Sequence, residues 1–98
     1  MNLSGKQKNH LRGLAHALNP VVSIGNKGLT ESVAAEVELA LAQHELIKIK
    51  LPGTDKSEKR ALIDTLCEQH EAQFVQIIGR VGVIYRANVE PKINLPSI

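Results

Sequence analysis

Val21-Val22-Ser23-Ile24-Gly25-Asn26-Lys27-Gly28-Leu29-Thr30 sets a strand, a loop and a helix start in immediate succession. Val21–Ile24 has the β-branched character of a buried strand. Thr30 is a good helix N-cap. Between them, two glycines bracket one amide and one cation. Glycine lets the backbone turn with φ > 0 and lets another backbone come close. A helix start offers unpaired N–H groups and a partial positive charge, so anions favour it. Lys27 adds a full charge at the same place. The loop therefore predicts a phosphate contact. An ordinary strand-to-helix turn uses the same residues, and G-x-x-G alone is a weak signal.

Working outward, residues 4–18 read as a first helix. Ser4 with Gln7 makes a capping-box pattern. Leu11, Leu14, Ala15 and Leu18 fall on one face at helical spacing, and Lys8, Arg12 and His16 line its flank. Lys6 points away. The stripe has no acidic partner and lies next to the loop in sequence, so it is a candidate extension of the basic surface; a plain solvated face is the competing reading. Gly13 inside the helix costs about 1 kcal/mol relative to alanine. Asn19-Pro20 ends the helix.

On the other side, a second helix runs from Thr30 to His44, with Val33, Ala34, Val37, Ala40 and Leu41 buried and His44 partly buried or capping. Leu46–Leu51 alternates with period two. Ile47, Ile49 and Leu51 share one face; Lys48 and Lys50 share the other with Leu46, a face partly open to water. Asp55 and Glu58 start a third helix that runs to about His70, with Leu62, Ile63, Leu66 and Cys67 apolar. Lys56, Lys59 and Arg60 crowd its first turn against the helix dipole, where Asp55 and Glu58 can neutralise them. Phe74–Ile78 and Val81–Arg86 are strands joined by Gly79-Arg80, a two-residue turn with Arg80 at its tip. Residues 87–98, with Pro91 and Pro96, read as an extended tail along the surface.

The order is α-β-α-β-α-β-β, an α/β fold. Helical connections imply parallel pairing of strands 1, 2 and 3 with right-handed crossovers; strand 4 returns antiparallel. The expectation is a mixed four-stranded sheet with the second and third helices on one face. The first helix is expected across the other side or an edge, near strand 1 and the loop. All 98 residues read as one domain.

Composition narrows the function. A 22% share of charged residues is ordinary for a globular chain. No apolar run approaches the ~20 residues of a membrane helix, and no leader-like apolar stretch follows Met1. One cysteine, Cys67, fits a reducing cytoplasm. The net charge of +2 is modest, but its distribution is not: residues 1–28 carry Lys6, Lys8, Arg12 and Lys27 without an acid, and residues 29–45 carry Glu31, Glu36, Glu38 and Glu45 without Lys or Arg. A polyanion would approach the first group. Cys67 and four scattered histidines lack zinc-site spacing, no nucleotide-binding glycine motif is present, and no carboxylate pair suggests acid–base chemistry. No catalytic residue, metal or cofactor is expected. Phe74 and Tyr85 are the only aromatics, too few for a stacking platform, so RNA would be held through phosphate and sugar.

The run Lys6-Gln7…Leu11-Arg12…Leu14-Ala15-His16…Pro20-Val21-Val22…Ile24-Gly25-Asn26-Lys27-Gly28-Leu29-Thr30, then His44–Lys50 and Gly82-Val83-Ile84-Tyr85-Arg86, closely resembles the CRM domain (chloroplast RNA splicing and ribosome maturation), in its stand-alone bacterial YhbY-like form. The resemblance covers residues 1–86. It implies an RNA-binding domain with the same element order and a core like the C-terminal domain of translation initiation factor 3. It also implies association with precursors of the large ribosomal subunit and an RNA-contacting G-x-x-G loop at Gly25-Asn26-Lys27-Gly28. That loop is similar to the one in KH domains in local chemistry only, because here it follows a strand.

The combined reading is a cytoplasmic, non-enzymatic, monomeric protein that binds structured RNA, either large-subunit ribosomal RNA or a precursor particle. Gly25, Asn26, Lys27 and Gly28 would make the contact, extended by Lys8 and Arg12, with Lys6, Lys48, Lys50 and Arg80 as further candidates. No membrane or small-molecule substrate is expected. The alternative is a protein-interaction module that docks on ribosomal proteins or another assembly factor through the acidic second helix or the strand faces.

Overall fold

The computed structural model describes residues 3–97. Its elements are α1 (Gly5–Ala15), β1 (Pro20–Ser23), α2 (Glu31–His44), β2 (Leu46–Lys50), α3 (Lys56–His70), β3 (Gln73–Ile78) and β4 (Val81–Tyr85). Each helix starts where a polar side chain can accept the orphan N–H groups of its first turn. Ser4 and Gln7 form the reciprocal capping box. Thr30 accepts from Val33 N at 3.2 Å and Asp55 from Glu58 N at 2.9 Å.

The sheet order is β1-β2-β4-β3. β1 and β2 pair parallel; β4 lies between β2 and β3, antiparallel to both. β3 thus points the same way as β1 and β2 without pairing with either, which corrects the expected parallel pairing of strand 3. The two-residue Gly79-Arg80 turn forces β3 and β4 to be neighbours, and β4 then supplies the ladder that β2 needs on its free side.

α2 and α3 cover one face. Val33, Val37, Ala40 and Leu41 of α2 and Ile63 and Leu66 of α3 pack on Val22, Ile24, Ile47, Ile49 and Ile84. Gly82 makes that packing possible: a Cβ there would stand 2.6 Å from Ile63 Cδ1. On the opposite face, Leu11 and Ala15 of α1, with Leu3, pack on Leu46, Val75, Val83 and Tyr85. α1 therefore lies over β2, β4 and β3, not beside β1 and the loop. Its helix ends at Ala15, short of residue 18, and Leu14 and Leu18 stay exposed, while Gln7 is buried. Gln7 takes that place because its amide donates to Pro96 O at 3.1 Å, so the tail covers the N-terminal part of the helix. His44 is exposed, against expectation. β1 is an edge strand; of the stretch Val21–Ile24 expected to form a buried strand, Val22 and Ile24 are buried and Val21 and Ser23 are exposed.

The tail is anchored by a residue that the sequence does not single out. Glu45 is fully buried at φ 65°, between α2 and β2. Its carboxylate accepts N–H bonds from Asn88 (2.7 Å), Lys92 (2.8 Å) and Ile93 (2.9 Å). Its own carbonyl accepts Arg86 N at 2.8 Å. Burial pushes the carboxyl upward, but the three N–H bonds outweigh it and hold the group below its ordinary range. Nearby, Glu38 takes a two-pronged contact from Arg86 (2.7 and 2.9 Å) and one from His70 Nδ1 (3.1 Å). Those bonds bring its carboxyl down from 4.5 to about 2.

Glu45→Gln keeps the shape but removes one acceptor and the charge. It should cost about 2 kcal/mol, a fall in Tm of roughly 10 °C for a chain of this size, read by thermal melting. Both carboxyls have lowered values in the folded protein, so their stabilisation is complete above the ordinary carboxylate range and is lost as pH falls through the folded values. Melting temperature should therefore drop between about pH 5 and pH 2, and the drop should be shallower in Glu45→Gln. A pH-independent Tm across that range would contradict both assignments.

Candidate nucleic-acid interface

Because β1, β2 and β3 run the same way, their carboxyl ends share one end of the sheet with the β3–β4 turn. The Gly25–Gly28 loop is a turn closed by Gly28 N to Gly25 O at 3.0 Å. Asn26 and Lys27 occupy its two corners and are exposed. Gly28 has φ +72°, the left-handed geometry that glycine adopts without strain. Gly25 does not have a positive φ, and nothing of the chain lies within 4 Å of where its Cβ would stand. The α2 start is a weaker anion site than the sequence suggests: Thr30 already caps it and Glu31 stands in its first turn. Glu58 shares a shallow depression with Gly28 on the α3 side. The loop's attraction for anions thus rests on Lys27 and its neighbours.

Those neighbours come from the adjoining strands. Ser23 pairs with Lys50, Lys50 with Val81, and Val81 with Ile78, one row across the sheet. Ile24 N donates to Lys50 O at 2.8 Å, tying the loop to the end of β2. Lys50 is exposed, and Lys48 lines a depression of about 230 Å3 with His16, Gln76, Ile78, Val81 and Val83. α1 stops short of this end of the face, so a floor of sheet with two lysines stays open; Ile78 is 63% exposed on the edge strand. Arg80 sits at the hairpin tip with its guanidinium against the backbone of Gly53. Leu51 N is tied to Arg80 O at 2.6 Å.

Lys27, Lys48, Lys50 and Arg80 are thus gathered toward one end of the sheet. The α1 cations are not beside them. Lys8 Nζ lies 5.9 Å from the centroid of the Phe74 ring, and Arg12 Nη2 reaches Val75 O at 3.5 Å. Both contacts are to β3, the edge strand farthest from β1. Lys6 is exposed on the same helix. Proximity in sequence misleads here, because α1 packs over β3, β4 and β2 before the chain enters β1.

α3 supplies cations that the sequence reading left unassigned. Lys59 Nζ donates to Gly79 O at 3.0 Å. Arg60 lies 3.8 Å over the Phe74 ring and pairs with Asp64. Among the described residues, Asp55 and Glu58 form no ion pair with Lys56, Lys59 or Arg60. Asp55 instead spends its oxygen Oδ1 on Ser57 and Glu58. The signal for this cluster was present in the sequence, as three cations set against the helix dipole.

Other chemistry has little footing. The Cys67 thiol is half-buried and pushed up to about 11 by burial and by the Asp64 charge, a poor nucleophile. Among the described residues, no three His, Cys, Asp or Glu side chains converge as metal ligands, and no helix is long and apolar enough to cross a membrane.

The chain is similar to known proteins. The CRS1 / YhbY (CRM) domain family matches residues 3–86. An "RNA-binding protein" of Haemophilus influenzae is 52% identical over 94 residues, spanning 96% of this chain and 95% of its own. "Probable RNA-binding protein PA4753" of Pseudomonas aeruginosa is 44% identical over 98 residues, spanning 100% and 94%. The solution structure of the hypothetical protein SAV1595 from Staphylococcus aureus is similar with a TM-score of 0.84 at 38% identity, over 96% of this chain and 99% of that one. A match of that extent makes the assignment direct: this chain belongs to the CRS1/YhbY (CRM) domain family.

Proposed function

We propose that the protein is a single-domain, monomeric, non-enzymatic RNA binder of the cytoplasm that acts on large-subunit ribosomal RNA during assembly. Gly25, Asn26, Lys27 and Gly28 approach the RNA backbone, and Lys48, Lys50 and Arg80 extend the contact over the open end of the sheet. Lys6, Lys8 and Arg12 form a second basic strip along α1, reached by an RNA that continues past the sheet.

Gly25 carries this reading. The fold places no demand on glycine at that position: the φ is ordinary and the space around it is open. A bare backbone beside an exposed amide and an exposed cation suits a partner that comes within contact distance of the main chain. Phosphate and sugar contacts fit a surface without a run of exposed aromatics, and they favour RNA recognised by shape. The names of the relatives point the same way. The ribosomal target rests on the family resemblance.

One observation favours a second reading, docking on a protein of the precursor particle. A groove of about 550 Å3 runs between the end of α1 and β1, and Leu14, Leu18 and Val21 stand exposed along it. On that reading the charge of the loop is incidental and its variants bind the particle normally.

Lys27→Glu should weaken binding to every RNA tested by about ten-fold, as expected for a phosphate contact, with unchanged far-UV circular dichroism and Tm. Gly25→Val should also weaken binding while the fold persists, because the site has room for the side chain. Parental affinity in both variants would remove the loop from the interface.

A further inference from the structure

The groove between α3 and β3 differs from the rest of the basic surface. It encloses about 350 Å3 and is lined by Lys56, Lys59, Arg60, Phe74, Ile77 and Gly79. Phe74 and Ile77 make an apolar wall, and the three cations stand around it. Arg60 lies over the Phe74 ring within this frame. Its guanidinium carbon is 3.8 Å from the Phe74 centroid, and its Nε donates to Asp64 Oδ1 at 2.9 Å. An aromatic ring supports one face of the guanidinium and a carboxylate fixes one edge. The side chain is still 53% exposed. Lys59 is held at the mouth of the groove by Gly79 O, and Lys56 is exposed in the first turn of α3.

A salt bridge with Asp64 accounts for the position of Arg60 but not for the two lysines. They stand in the first turn of a helix, against its dipole, and no acid within the described residues pairs with them. A guanidinium held over an aromatic ring, beside two ammonium groups with no ion-pair partner among the described residues, matches one ligand chemistry. Unpaired bases stack on arginine planes and aromatic rings, and lysine holds the adjoining phosphate.

We infer that this groove takes one unpaired nucleotide of a bound RNA, its base stacked on Arg60 and a flanking phosphate held by Lys56 and Lys59. The inference rests on the RNA-binding reading and deepens it, adding a base contact to a surface that otherwise meets the backbone. The bound RNA then has a duplex or folded part on the loop and the open sheet and a single-stranded part at the α3–β3 groove.

Three RNA hairpins with the same stem test it by fluorescence anisotropy: one blunt, one with a short single-stranded extension, and one whose extension is abasic. For the parent protein the extension should raise affinity about ten-fold, and the abasic extension should give little of that gain. Arg60→Gln should lose the gain. Arg60→Lys, which keeps the charge and lacks the plane, should lose most of it. Lys27→Glu should weaken all three RNAs and keep the ratio between them. Equal affinity of the parent for blunt and extended RNA would overturn the nucleotide site and leave the loop to be judged by Lys27→Glu. A gain that survives the abasic extension or Arg60→Lys would overturn the stacked base. Failure of the parent to bind any hairpin would overturn this site and the RNA reading together.

Discussion

The place of β4 between β2 and β3 governs most of what this surface can do. A tight turn makes β3 and β4 partners, and β2 has one ladder left to fill after pairing with β1. β4 satisfies both requirements. Every other strand then points the same way, and the segments that follow β1, β2 and β3 emerge at one end. A glycine loop, a lysine-bearing strand end and a hairpin tip with an arginine are brought together by hydrogen-bond pairing alone. Unpaired backbone groups inside a sheet are costly, so this arrangement of cations is as robust as the sheet.

The two faces then divide the work. α2 and α3 cover one of them, with Gly82 letting Ile63 come down on β4. α1 closes the other only in part. It ends at Ala15, and the sheet beyond it stays bare where Lys48 and Lys50 stand. Glu45 pins the tail at the opposite end. Its carboxylate draws the tail across Tyr85 and Leu46, with Ile93 and Leu95 completing that cluster. A buried carboxylate with three N–H donors is stable where an unpaired one would not be. The protein thus has one end pinned by the tail, beside the apolar groove between α1 and β1, and an open, cationic end.

Much of this was legible in the sequence because it is local. Caps at Ser4, Thr30 and Asp55, the alternation of Leu46–Leu51 and the glycine-first turn at Gly79 each depend on residues a few positions apart. Errors arose where long-range pairing decided the outcome. Helical connections suggested that β3 would pair beside β2; the β3–β4 turn overruled them. Leu14 and Leu18 share a helical face with Leu11, but the helix ends before Leu18 and the tail takes up the space near Gln7. Glu45 reads as one more acid after the three on α2, and its burial depends on N–H groups more than forty residues later. For the site, the loop and the strand lysines were readable as candidates. Lys8 and Arg12 were assigned to the loop because they precede it, yet they meet Phe74 and Val75 at the far edge. Arg60 and Phe74 come together only when α3 packs beside β3.

The central claim is that the protein meets RNA through a set of cations that touch phosphate. The most direct measurement is the affinity of the purified protein for a large-subunit ribosomal RNA fragment across a salt series. Four or so phosphate contacts predict a log–log slope of about −3 to −4, with tight binding at low salt. A slope near zero, or weak binding at every salt concentration, would contradict the account and turn attention to a protein partner.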